Sequence, residues 1–282
     1  MKKTFLHFGL LWCLTLVAEP VATGRVVSQE AGAGKAEIRP EAPGSAEAVK
    51  VALSPGDAQI DWTGRRIRYR VIKSESGLRA EQLFPADQEE LRRVAEVTDA
   101  LRRETLDKGR LVTRMPSELT PNMALWDQDG RLVTKKDFLG HALAVNFIFT
   151  SCRNARMCPA STKAMKQLAD ALAKEPKLAG VRLITITFDP ETDSPGLLRA
   201  YADGYGIDHA RHRFLTGDPG QIRDLMKHYG ILTVRDDGTI VHNAALILVS
   251  AEGRIVQRRE GATFDPADVT QAFLRLAEAS PK

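Results

Sequence analysis

Cysteine, charge of one sign and long apolar runs are all scarce in these 282 residues, and each shortage excludes something. The three cysteines, Cys13, Cys152 and Cys158, are too few for a disulfide-stapled scaffold. The formal charge is only +4 over the whole length, with no block of Lys or Arg, so no nucleic-acid partner is expected. Gly and Pro number 21 and 14, which excludes a collagen-like or wholly disordered chain. The apolar stretch from Phe5 to Ala18 is interrupted by His7, Gly9 and Thr15. It falls short of the ~18–20 residues of a spanning helix. No internal repeat is visible.

That short stretch has its own meaning. Lys2 and Lys3 precede it, and Ala22-Thr23-Gly24 follows it. Basic, apolar, then small is the order of a cleavable export signal, predicted here over residues 1–24. The predicted location is therefore the periplasm or the outer face of the cytoplasmic membrane. Membrane contact is expected only if the segment stays uncleaved as an anchor. Cleavage would remove Cys13 and leave Cys152 and Cys158 as a close pair, the spacing of a redox or metal site.

Residues 25–48, rich in Ala, Gly, Glu and Pro, read as a disordered linker. Residues 49–110 read as a small β-unit followed by a helix. Arg66-Ile67-Arg68-Tyr69-Arg70-Val71-Ile72 alternates polar and apolar, as a half-buried strand does. Leu91, Val94, Val97 and Leu101 have helical spacing. From Leu111 to residue 282 the pattern is β-α-β-α-β-α-β-β-α. Its first central strand, Ala142 to Thr150, is apolar throughout except Asn146 and Thr150, the signature of burial on both faces. Cysteines directly after that strand predict an α/β, thioredoxin-like domain with a mixed central sheet flanked by helices.

Pro159 suits the first turn of the next helix, which puts Cys158 at the helix N-terminus and Cys152 at the strand end. Unpaired N–H groups and the helix dipole there are expected to favour a thiolate, helped by Arg153 and Arg156. On one helix, cysteines six apart would be separated by about 9 Å. A disulfide needs Cα atoms at roughly 4.4–6.8 Å. The five intervening residues must loop back, either to close a disulfide or to offer two sulfurs to one soft metal ion. Among the histidines, His141 sits at the far end of its strand, and His209, His212 and His228 read as surface residues. His242 differs, because it immediately precedes the Ala244–Ser250 strand, whose approach passes the cysteine loop in such a fold. Thioredoxin reductants carry a cis-proline there, and this chain has Ala244 and Ala245. Two thiolates and an imidazole suit copper or zinc.

The stretches Asn146–Cys152, Cys158-Pro159, Thr187–Pro195, Leu215–Pro219 and Val241-His242-Asn243 together resemble the SCO/SenC/PrrC family of exported copper proteins. The resemblance covers about residues 120–279. It implies that Cys152, Cys158 and His242 bind copper, and that Cys152 and Cys158 cycle between dithiol and disulfide. It implies as partner an apo copper-site subunit of cytochrome c oxidase, another exported copper protein, or a thiol-disulfide exchange partner. The family usually has three residues between its cysteines, whereas this chain has five. Asp189 matches an acidic position of the family and reads first as a turn and helix-capping residue. Residues 49–84 faintly resemble the small periplasmic copper-binding barrels fused to some relatives, but hold no Met or His. A thiol-disulfide oxidoreductase or peroxidase-type redoxin without a metal role is the competing reading.

Overall fold

The structure is a computed structural model that describes residues 21–30, 32–41, 47–75, 77–236 and 239–279. The predicted export signal lies almost entirely outside these residues.

The described residues begin with strands where a linker was expected over residues 25–48. β1 (Val21–Glu30), β2 (Lys35–Pro40), β3 (Val49–Leu53), β4 (Arg66–Ser74) and β5 (Gly77–Pro85) close into a barrel in the order β1-β2-β3-β5-β4. The composition of residues 25–48 misleads because it is the alternation that matters. Val26, Ala36 and Ile38 point inward among polar neighbours and meet Val51, Leu53, Ile60, Trp62, Ile67, Ala80 and Leu83. Three or more strands around a shared core hold what no single strand could. The boundary expected after Gly24 falls inside β1, where Gly24 pairs with Pro40.

α1 (Gln88–Lys108) follows, with Asp87 accepting from Glu89 and Glu90 N–H as its N-cap. The expected boundary at residue 110 groups this helix with the barrel, but its contacts also run the other way. Thr98 and Arg102 bond Gln221 and Asp224, and Trp126 Nε1 donates to Glu90.

The second sheet is built from β6 (Ala124–Asp127), β7 (Leu132–Thr134), β8 (Leu143–Ile148), β9 (Arg182–Thr187), β10 (His212–Thr216), β13 (Ala245–Val249) and β14 (Ile255–Glu260). A separate hairpin joins β11 (Thr233–Asp236) to β12 (Thr239–His242). The helices are α2 (Cys158–Ala173), α3 (Pro195–Gly204), α4 (Pro219–His228) and α5 (Pro266–Ala279). The sheet order is β14-β13-β8-β9-β10-β6-β7. β8, β9 and β10 are parallel and the flanking pairs antiparallel. β8 is buried along its whole length. Val145 and Phe147 join one core with Leu101, Leu198 and Leu225, while Ala144 joins the other with Met165, Leu168 and Phe273. Parallel strands with helices on both faces put the loops after β8 and β9 side by side at one edge, where α/β sheets carry their sites. β13 runs antiparallel to β8, so its start lies at that same edge. Among the described residues no helix is long and apolar enough to cross a membrane.

Two histidines expected at the surface are buried. His212 lies against Thr185 Oγ1 at 2.7 Å, and burial pushes its pKa down to about 3. His228 accepts from the Arg114 guanidinium at 3.0 Å and lies 3.1 Å from Thr105 Oγ1. Both ring nitrogens of His228 have partners, whereas His212 has one at Nε2 and none at Nδ1.

Asp57 is the most exceptional group of the barrel. It is 1% exposed, its Oδ2 accepts from Ser54 at 2.7 Å, and its Oδ1 has no partner. Burial lifts its pKa from 3.8 to about 7, with the Ser54 bond opposing and Glu81 adding to the rise. The folded value exceeds the unfolded one, so the fold favours the neutral carboxyl. The resulting penalty is absent below the unfolded pKa and grows as pH rises from 3.8 to about 7. Asp57→Asn is therefore expected to stabilise the chain at pH 8 by roughly 2–4 kcal/mol, with the gain fading near pH 4. Urea unfolding at the two pH values measures it, and an equal effect at both would refute the assignment.

Candidate metal centre

β8 ends at Ile148, and Phe149-Thr150-Ser151 carries the chain outward to Cys152. Thr150 is fixed by Asp193, whose carboxylate accepts from the Thr150 N–H at 3.1 Å and its hydroxyl at 2.5 Å. The same carboxylate accepts from Thr187 Oγ1 at 2.5 Å and is fully buried. Burial raises its pKa to about 6, against the three hydrogen bonds that pull it down. Asp193 thus ties the ends of β8 and β9 together directly beneath the cysteine loop.

Asn154 folds the five-residue insert. Its Oδ1 accepts from the Arg156 N–H at 3.1 Å and its carbonyl from the Met157 N–H at 2.9 Å. This is the turn chemistry of a short amide side chain. The chain then enters α2 at Cys158 with Pro159 in the first turn, as expected. The longer spacing does not part the sulfurs. Cys152 Sγ, Cys158 Sγ and a nitrogen of His242 all lie within 4.8 Å of one another. Both cysteines are free thiols.

His242 closes β12 and is positioned by its neighbour. Asn243 Oδ1 accepts from the Leu232 N–H at 2.8 Å, and its Nδ2 donates to the Gly230 carbonyl at 3.0 Å. The Asn243 carbonyl lies 2.7 Å from His242 Nδ1. A carbonyl only accepts, so Nδ1 holds the proton and Nε2 presents its lone pair, 3.4 Å from Cys158 Sγ. The ring packs against Phe188 at 4.6 Å and Phe149 at 6.0 Å between centroids. Burial lowers the pKa of His242 and thereby keeps it neutral, in the ligating form.

One expectation reverses here. Cys158 is 1% exposed, and burial pushes its thiol pKa strongly upward. Desolvation of the anion outweighs the helix N-terminus. Arg153 and Arg156 point into solvent, where their charge is screened. Cys152 is half-exposed, so the two thiols differ in access. Asp189 is a buried turn residue whose carbonyl accepts from Thr192 and Asp193 N–H, while the cap of α3 is Ser194. Of the residues singled out in the sequence, Cys152, Cys158 and His242 come together, and His141 is held instead against the Gly180 carbonyl. Asn154, Asp193, Asn243 and the two phenylalanines went unread. Asn154, in a loop between strand and helix, carried a usable turn signal. Asp193 and Asn243 lay in stretches that carried the family resemblance, but their supporting roles needed their partners.

The donor set suits a soft ion. Two sulfurs and one neutral imidazole within reach of one point match the preferences of Cu(I), and a hard cation would take oxygen instead. Asp193→Ala is expected to orphan three donors and to destabilise the fold by about 2 kcal/mol or more. Alkylation of Cys152 should quicken as Thr150 loosens. Urea unfolding and thiol-labelling rates test both, and an unchanged labelling rate would show that Asp193 does not hold the loop.

Residues 112–278 match the family model described as SCO1/SenC. The SCO1 protein homolog of Bacillus subtilis is 29% identical over 146 residues, 50% of this chain and 74% of that protein. A structure of BsSco, described with a disulfide switch and as a member of the Sco family of cytochrome c oxidase assembly proteins, is 25% identical. Its TM-score is 0.52, covering 60% of this chain and 99% of that one. A copper-bound ScoI of Arabidopsis thaliana shares the fold at 22% identity and a TM-score of 0.51, over 58% of this chain and 100% of that one. The fold is thioredoxin-like.

Proposed function

The chain belongs to the SCO1/SenC family, and we propose that it is an exported protein that takes one copper ion on Cys152, Cys158 and His242 and passes it to a respiratory copper enzyme such as cytochrome c oxidase. The observation that carries this reading is the approach of two thiol sulfurs and an imidazole nitrogen to within 4.8 Å. Copper is the cargo. Cys158 forms the buried side of the cradle, and Cys152 and His242, each partly exposed, its outer side. A partner reaches Cys152 first, which is what ligand-by-ligand transfer needs. Loading releases the thiol protons, because the thiolate is the ligand.

Anaerobic titration of the reduced full chain with Cu(I), against a competing chelator, tests the proposal. One ion per chain is expected, with Cys152→Ser and His242→Ala each weakening binding by about tenfold or more, which corresponds to about 1.4 kcal/mol. Identical binding by wild type and His242→Ala would remove His242 as a ligand.

The unequal exposure of the two thiols favours a second reading, thiol-disulfide exchange. Here the Cys152 thiolate attacks a partner disulfide and expels one of its sulfurs as a thiolate. Cys158 then attacks the Cys152 sulfur, releasing the partner's second thiol and leaving a Cys152–Cys158 disulfide. The dithiol gives up two electrons and the partner gains them. Oxidation of the metal-free chain with a disulfide reagent is expected to remove both alkylatable thiols reversibly. Two thiols still alkylatable after oxidation would rule this reading out.

A further inference from the structure

The barrel touches the thioredoxin-like body where the cysteine loop is held. Gly56 and Asp57, in the turn after β3, meet the first turn of α3 backbone to backbone. A Cβ on Gly56 would overlap the Gly196 carbonyl oxygen, and one on Gly196 would overlap the Asp57 carboxylate and lie 2.8 Å from the Asp57 nitrogen. Neither glycine has a positive φ, so close approach is what glycine serves here. Gly196 is a poor helix former in the first turn of α3, a local cost that the contact accounts for. A second contact comes from β5. Its pairing with β4 is irregular between Arg68 and Arg70, and Gln82 takes a positive φ of 53° there. The displaced side chain donates from Nε2 to the Glu191 carbonyl at 3.2 Å.

These contacts grip residues 191 and 196, one on each side of Asp193. Asp193 in turn holds Thr150, two residues before Cys152. The barrel has a second grip that does not touch residues 191–196, through Arg65 on the Asp129 and Gly130 carbonyls of the β6–β7 turn, where the Asp129 carboxylate pairs with Arg199 of α3.

We infer that Gly56, Gln82 and Gly196 are positioning residues for the cysteine loop. By fixing the 191–196 turn, the barrel fixes Asp193, and through it the backbone from which Cys152 hangs. The barrel thereby tunes how readily the two sulfurs meet. This rests on the copper-and-dithiol reading of the same site, so its primary readout is taken on the metal-free full chain.

The test equilibrates wild type, Gly196→Ala, Gln82→Ala and Arg65→Ala in dithiothreitol buffers of graded reduced-to-oxidised ratio and counts thiols. The dithiol loses two electrons and two protons to oxidised dithiothreitol, which becomes the reduced dithiol. Gly196→Ala and Gln82→Ala are expected to shift the dithiol–disulfide equilibrium constant roughly threefold or more. Arg65→Ala, which loosens the barrel without touching the turn, is expected to leave it in place. Gln82→Ala removes one surface hydrogen bond and folds even if Gly196→Ala does not. No shift in either turn variant, or an equal shift in Arg65→Ala, would overturn the inference. Cu(I) titration of the same proteins separates the failures. A wild type that takes no copper sinks the copper reading, whereas unshifted turn variants beside a copper-binding wild type sink only the barrel's role.

Discussion

The chemistry of this molecule depends on one desolvated meeting, that of a buried thiol at the head of a helix with the free lone pair of an imidazole. Burial alone would make Cys158 an inert thiol, because it disfavours the charged form. The same burial keeps His242 neutral and its Nε2 available. A soft cation placed between them offsets the cost of the thiolate, so the site is poor for free anionic sulfur and good for a metal–sulfur bond. The half-exposed Cys152 supplies the route in and out.

Everything around that meeting serves to keep three chain segments in register. The β8 end is held by Asp193, the insert by Asn154, and the β12 end by Asn243. Each uses a short side chain that closes a local turn or bonds backbone groups, which holds a loop more firmly than packing alone. The supports are polar, with Asp193 buried, Asn243 half-buried and Asn154 exposed, while Phe149 and Phe188 pack against the imidazole without adding a ligand. The N-terminal barrel extends this logic across a domain boundary, meeting the same turn that carries Asp193.

Legibility followed the range of the forces involved. The buried strand β8, the entry of α2 at Pro159 and the order of strands and helices after Leu111 could be read directly, because periodicity and helix-start residues are local. Residues 25–48 were misread because the count of small and charged residues hides an alternation that matters only when three other strands close the barrel. His212 and His228 were misread for a related reason: polar neighbours in sequence are not neighbours in space. The Cys158 thiol was misjudged because helix position is visible in a sequence and depth of burial is not.

By itself the sequence determined the type of fold, the two cysteines after a central strand and the helix entry at Pro159, and it singled out His242 as a candidate, since each follows from spacing or from residues adjacent in the chain. Only the tertiary structure decided that an insert of five residues still lets the sulfurs meet and which imidazole nitrogen is free. It also decided that Asp193 ties two strands under the loop and that a barrel leans on the turn beside it. The last two depend on contacts between positions tens of residues apart, and the first two on local backbone conformations that spacing alone leaves open.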